Sequence, residues 1–347
     1  MSRWSISGLA SRLEGFTLGP IDLELPPGLP VAVLGRSGTG KTTLLRSVAG
    51  FVPTTGGRIL RDGVDLVRFP PEERSVGYVP QGLGLFPHLS VEQNVRYPLD
   101  LRRVRRGTPE RVRGLLRRFG LEALASRQPS RLSAGEAQKV ALARALAADA
   151  DLLLWDEPAH ALDVEDRDEL VRIFRELGRE EGLGLLLVTH DPVLAFALAE
   201  RFVVLSDGRV RFSGDARELI DRPPDSFSAR FAGYENLYSR PRLEELGGGL
   251  AAWLLARSGP EGVAFPAPLL GRTDGLPGWE AEVEASRPGP EGTSVELSAG
   301  GLRLRARRSG LPEGNELRVG ARVRFALDAT SLRPLGGVPA ERTGSAA

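Results

Sequence analysis

Nine consecutive residues, Gly35-Arg36-Ser37-Gly38-Thr39-Gly40-Lys41-Thr42-Thr43, have the types and spacing that cradle a phosphate chain. Glycines let successive backbone N–H groups turn inward on an anion. A helix starting at the lysine adds its partial positive charge. Lys41 would neutralise β- and γ-phosphates, and the Thr42 hydroxyl would hold Mg²⁺. The chain has only two lysines, Lys41 and Lys139, among many arginines. The drift to arginine stops where a compact ammonium suits the task better than a planar fork.

Further groups suit the same chemistry. Asp156 and Glu157 follow an apolar run at 152–155. A carboxylate at the carboxyl end of a buried strand sits where open α/β sheets bind ligands. Asp156 can hold Mg²⁺ directly or through water, and Glu157 can polarise an attacking water as general base. His190, after the run at 185–188, could reach a γ-phosphate oxygen. Gln81 ends another short run at 76–79 and could contact Mg²⁺ and the nucleophilic water. Ser133 and Gly135 open a helix, whose amides and hydroxyl form an anion site or simply a good N-cap.

The elements that must position these groups are legible around them. Residues 31–34 form a short buried strand before the glycine loop, and 44–49 an apolar-periodic helix closed by Gly50. Residues 2–30 suggest short antiparallel strands, with the turn Pro26-Pro27-Gly28 after them. Asp62-Gly63 and Asp207-Gly208 mark hairpins. From 91 to about 148 the signals are helical, with starts at Thr108-Pro109-Glu110 and Ser133. The continuous apolar runs at 152–155 and 185–188 suit strands of a parallel sheet covered on both faces, with a helix at 168–177 between them. Near residue 233 helical signals thin, and alternating runs at 279–283, 294–297, 302–306 and 323–327 predict a small β-barrel or sandwich.

The 347 residues suggest two domains, 1–232 and 233–347, the second ending in an unstructured tail. A formal net charge of +1 gives no reason to expect nucleic acid. The absence of cysteine excludes disulfide and thiol chemistry and fits a reducing compartment. The N-terminal residues lack a signal-peptide core, and no apolar run reaches the ~18 residues a bilayer span needs.

In this order the motifs resemble the ATPase subunit of ABC transporters. Gln81 matches that family's Q-loop glutamine, Leu132-Ser133-Ala134-Gly135-Glu136 its LSGGQ signature, Asp156-Glu157 the Walker B aspartate and catalytic glutamate, Ala161-Leu162-Asp163 the D-loop, and His190 the switch histidine. The resemblance implies a mostly parallel α/β P-loop ATPase domain with an antiparallel β edge and a helical subdomain. It also implies ATP and Mg²⁺ clamped between two copies, with Ser133, Gly135 and Asp163 of one copy facing the glycine loop of the other. Departures are Ala134, Glu136, His160, Leu194 and Trp155, read as tuning because Lys41, Asp156, Glu157 and His190 are all present. Phe16 is the candidate for stacking on adenine, with a plain core role as the other reading.

Residues 70–94 resemble those of bacterial importers that carry a C-terminal domain, where the loop around Phe86 and His88 docks the permease; a simple turn is the other reading. Residues from Phe231 to Asn236 look like the start of an OB-like domain, particularly that of molybdate, tungstate and sulfate importers. That resemblance implies a homodimer on the cytoplasmic face of the plasma membrane, bound to integral-membrane permease subunits and served by an extracytoplasmic solute-binding protein. The solute expected is an inorganic anion, with sugar, polyamine or ferric iron as alternatives. A soluble ABC ATPase in DNA repair or translation, and a non-hydrolysing ATP switch, are readings of other classes. The arginines at 102, 103, 105, 106, 111, 113, 117 and 118 form a solvated helical face or a lipid-headgroup patch.

Overall fold

The computed structural model describes residues 2–13, 15–101, 108–158, 164–268, 270, 276–289, 292–308 and 317–336. His160 and Asp163, the arginines at 102, 103, 105 and 106, and the tail at 337–347 lie outside them. By internal packing the chain divides into two compact units, Met1–Ala216 and Arg217–Ala347.

The first unit runs through β1 (Trp4–Leu13), β2 (Phe16–Leu25), β3 (Pro30–Leu34), α1 (Lys41–Ala49), β4 (Gly56–Arg61), β5 (Val64–Asp65) and β6 (Val76–Val79). Helices α2 (Val91–Leu101), α3 (Thr108–Arg118) and α4 (Ala134–Ala147) follow. The rest is β7 (Leu152–Asp156), α5 (Val164–Glu181), β8 (Gly184–Thr189), α6 (Pro192–Leu198), β9 (Arg201–Ser206) and β10 (Arg209–Asp215).

Two sheets result. One has the order β10-β9-β3-β8-β7-β6, parallel from β9 to β6, with β10 antiparallel at its edge. The other is the antiparallel set β2-β1-β4-β5. β3, β7 and β8 are buried along their whole length, which explains their unbroken apolar composition. Both Asp-Gly turns take positive φ at both residues, the conformation that matches strand twist in a two-residue hairpin.

α1 shares one core with both sheets. Its Leu44, Leu45 and Val48 are fully buried among Trp4, Leu18, Ile59, Val33 and Val188. Each such side chain contributes about 1.5–3 kcal/mol on burial. The C-terminal end of α1 is held by Arg74, itself buried, whose guanidinium donates to Ser47 O and Val48 O at 3.0 Å and to Phe69 O at 2.9 Å. A cation on the last carbonyls complements the helix dipole. Burial pushes the Arg74 pKa down, partly offset by Asp65.

The second unit contains α7 (Ala216–Asp221, starting at the division), α8 (Ser226–Phe231), β11 (Asn236–Ser239), α9 (Arg240–Leu246), α10 (Gly248–Leu255) and β12 (Gly262–Phe265). It ends with β13 (Gly278–Gly289), β14 (Gly292–Ala299), β15 (Leu302–Arg308), β16 (Arg322–Ala326) and β17 (Arg333–Leu335). The strands make antiparallel sheets β15-β14-β13-β16 and β11-β12-β17. Asn236 joins them: its buried amide accepts from Arg305 N at 2.8 Å and donates to Arg305 O at 2.9 Å, replacing a missing ladder partner.

The compositional change near 233 and the packing division at 216/217 do not coincide. Ala229 and Tyr234 share a small core with Ala264 and Leu335, Tyr234 donates to Ile220 O at 2.7 Å, and Arg333 pairs with Asp221 at 3.2 Å. These contacts join the sequence before 233 to the later strands. The short helices α9 and α10 also depart from the strand-only reading; Leu243, Leu250 and Leu254 bury their apolar sides in the core of the four-stranded sheet.

Candidate nucleotide-binding site

The glycine loop connects β3 to α1. Gly38 and Gly40 have φ of 81° and 102°, open to glycine at little cost. At Gly40 space is limiting too: an added Cβ would lie 2.7 Å from Phe16 Cζ. Phe16, half-buried at the start of β2, therefore packs directly over the loop.

Lys41 is buried, and its ammonium donates to Gly35 O at 2.8 Å and Arg36 O at 3.0 Å. It also lies 3.0 Å from Glu157 Oε1. The other oxygen, Glu157 Oε2, meets His190 Nδ1 at 2.7 Å and accepts from the His190 backbone N–H at 3.3 Å. Glu157 has φ of 44°, an unusual backbone for a residue with a Cβ, costing about 1–3 kcal/mol. Its N–H donates to Val188 O at 2.9 Å, anchoring the bend across to β8. The bend directs the carboxylate at both Lys41 and His190, from three separate elements.

Asp156 is the last residue of β7 and almost fully buried. One oxygen accepts from Thr42 Oγ1 at 2.8 Å, the other from Tyr78 OH at 3.0 Å. A hydroxyl–carboxylate pair beside the glycine loop is a hard oxygen donor set of the kind Mg²⁺ takes. No cluster of three or more acidic, histidine or cysteine side chains suited to a metal exists among the described residues. Mg²⁺ needs none where substrate phosphates supply further oxygens.

Tyr78 escaped the sequence reading, although a tyrosine in a short, otherwise aliphatic strand is a signal. Burial, with a further contribution from Asp156, pushes its phenol up to about 12, so it remains a donor at neutral pH. Gln81 lies exposed just beyond β6. The parallel register pairs Val79 with Trp155, so Gln81 falls level with the Asp156–Glu157 step.

Ser133 caps α4 in a reciprocal box: its Oγ accepts from Glu136 N at 3.1 Å, and its N–H donates to Glu136 Oε2 at 2.7 Å. The Ser133–Ala134 tip is exposed. The structure thus brings together Lys41, Thr42, Asp156, Glu157 and His190, with Phe16 above the loop. Ser133 has its hydrogen bonds to Glu136 of its own helix and none to that cluster among those of the described residues.

The loop around Phe86 is braced from behind. Asn94, fully buried, accepts from Phe86 N at 2.9 Å and donates to Phe86 O, Leu89 O and Ser90 O. Arg144 donates to Leu83 O and Gly84 O, with its guanidinium 5.5 Å from the Phe86 ring. His88 stays exposed. On α3, the arginines at 111, 113, 117 and 118 each have an acidic partner, including Asp149 for Arg111 and Glu180 and Glu181 for Arg118. That neutralisation favours the solvated-face reading of these four.

Comparison with known proteins fits this geometry. The ABC transporter family profile matches residues 18–160. The chain is 42% identical over 227 residues to a Salmonella typhimurium ATP-binding protein named for 2-aminoethylphosphonate import, a match covering 64% of this chain and 61% of that protein. It is 37% identical to the molybdate/tungstate import ATP-binding protein WtpC of Pyrococcus horikoshii, over 67% of this chain and 68% of the relative. It is 38% identical to the sulfate/thiosulfate import ATP-binding protein CysA 2 of Chromobacterium violaceum, over 89% and 85%. Among solved structures, a dimeric ATP-binding cassette in a post-hydrolysis state with ADP and Pi superposes with a TM-score of 0.55 at 27% identity, covering 61% of this chain and 98% of that one.

Proposed function

The chain belongs to the ABC transporter family as an ATP-binding cassette, and on that premise we propose that it is the ATP-hydrolysing subunit of an importer. The observation that carries this is the convergence of Lys41, Glu157 and His190 beside the Thr42–Asp156 pair. In this reading the glycine-loop amides and Lys41 bind the β- and γ-phosphates, and Phe16 packs against adenine. Thr42 and Asp156, with Gln81, would hold Mg²⁺, which supplies charge neutralisation on the phosphate oxygens. Glu157 leaves Lys41 when phosphate takes the ammonium, and polarises a water. The water oxygen attacks the γ-phosphorus, its proton passes to Glu157, and the bond to the β-phosphate oxygen breaks to release ADP. His190 orients Glu157 through the 2.7 Å contact.

Two copies would complete each site, the Ser133–Gly135 tip, exposed at Ser133 and Ala134, and Asp163 of one facing the glycine loop of the other. The braced loop at Phe86 and His88 would receive permease subunits at the cytoplasmic membrane face, with an extracytoplasmic binding protein delivering the solute. No helix among the described residues is long and apolar enough to cross a membrane. The relatives are named for phosphonate, molybdate or tungstate, and sulfate or thiosulfate, which share oxyanion chemistry. An inorganic oxyanion is therefore the proposed solute class, and the second unit, OB-like in strand content, is proposed to be regulatory.

The test is steady-state ATP turnover of the purified chain and of Glu157→Gln. Turnover should fall about 10³-fold on losing the base, with ATP still bound. Equal turnover in the two proteins would remove Glu157 from the chemistry. Absence of any turnover in wild type, even with copurifying permease, would favour the non-hydrolysing switch.

A further inference from the structure

The helix tip that the proposed dimer offers to a triphosphate has acid behind it. A Cβ added to Gly135 would lie 1.9 Å from Asp166 Oδ2 and 2.8 Å from its Cγ, so the Asp166 carboxylate is pressed against the tip's backbone. Glu169 lies on the same helix, α5. Carboxylates at this place oppose the approach of an anion to the α4 N-terminus. Lys139, from the second turn of α4, stands between them: its Nζ is 2.8 Å from Asp166 Oδ1 and forms an ion pair with Glu169. The Lys139 side chain is only 12% exposed. Burial alone would lower its pKa, yet the two carboxylates prevail and raise it, so the ammonium stays charged.

We propose that Lys139 is a counter-ion for the signature tip, neutralising Asp166 and Glu169 behind Gly135 so that the tip accepts the γ-phosphate of ATP held by a second copy. The inference rests on the dimeric ATPase reading. Lys139 touches no nucleotide and acts through Asp166, which makes it a positioning residue. A purely mechanical tie between α4 and α5 would use the same contacts, but the two roles respond oppositely when the second charge is removed. If neutralisation is the role, deleting the Asp166 charge repairs the loss of Lys139. If the tie is the role, deleting it removes one more anchor.

The experiment measures ATP-driven dimerisation by analytical ultracentrifugation in a Glu157→Gln background, with single-chain affinity for a fluorescent ATP analogue alongside. Lys139→Met should weaken dimerisation about tenfold, the scale of one unit charge acting over about 10 Å at an effective dielectric of about 20, while single-chain affinity stays unchanged. Lys139→Met with Asp166→Asn should recover to within about threefold of the parent, and Lys139→Arg should match the parent because it keeps the charge. If Lys139→Met does not fold, Asp166→Asn alone decides: dimerisation equal to or tighter than the parent supports the counter-ion, and weaker dimerisation overturns it. A Lys139→Met protein that dimerises like the parent, or a double variant no better than the single, also overturns it. Failure of the Glu157→Gln parent to dimerise while binding ATP would instead sink the dimer reading on which the proposal stands.

Discussion

The glycine loop and the signature tip are both helix N-termini, and they are finished in opposite ways. At the loop, Lys41 is buried and fully engaged by two carbonyls and Glu157, which His190 holds in turn. At the tip, Ser133 and Ala134 are exposed, and the Ser133 N–H is met by the tip's own Glu136. Buried polar groups must be satisfied within the fold, because each unmet one costs about 1–3 kcal/mol. Exposed ones need no such partner. The cradle is therefore preorganised by its chain, whereas the tip is left open at the surface, as the proposed dimer would require.

The contrast makes unequal demands on substitution. Lys41→Ala should lower single-chain ATP affinity about 10²-fold, since a buried cation facing phosphate is lost. Calorimetry showing unchanged affinity would break the assignment of the cradle. Arg74→Met should cost about 2 kcal/mol in urea denaturation by stranding the α1 carbonyls it caps. A stability change within error would show that the loop helix needs no support at its far end. His190→Ala should reduce turnover about tenfold, the usual effect of losing a group that orients a reactive one, with ATP affinity retained. Loss of affinity equal to that of Lys41→Ala would merge two roles that are separated here. Ser133→Ala should cost the fold only about 1 kcal/mol, as removal of an N-cap does, and leave single-chain ATP affinity unchanged. If it weakened single-chain binding as strongly as Lys41→Ala, the open tip would belong to the same chain's site and the comparison would fail.

Local features were legible from residue order. The glycine loop, the Asp-Gly hairpins, the Ser133 cap and the apolar strands each depend on backbone preferences spanning a few residues. The candidate roles of Lys41, Thr42, Asp156, Glu157 and His190 were legible too, because few residue types can hold phosphate, metal and water in that order. Less local partners were not. Tyr78 on Asp156, Arg74 under α1 and Asn94 behind Phe86 are ordinary residues in sequence, and become specific only when packing removes their alternatives. The α9 and α10 helices were hidden for a related reason. They are short, glycine-flanked and weak in local signal, and take their stability from the sheet core beneath them.

Residue order by itself determined that this chain carries a nucleotide cradle followed by a carboxylate pair and a histidine, since those chemistries need particular side chains at particular spacings. Tertiary structure alone decided which group rests on which. Glu157 bends back onto Lys41, and Asp166 lies against Gly135 with Lys139 between the acids. The physical reason is range. Backbone preference acts over one turn, whereas the pairing of buried charges is settled by the packing of elements far apart in the chain, where low dielectric makes every unpaired charge costly.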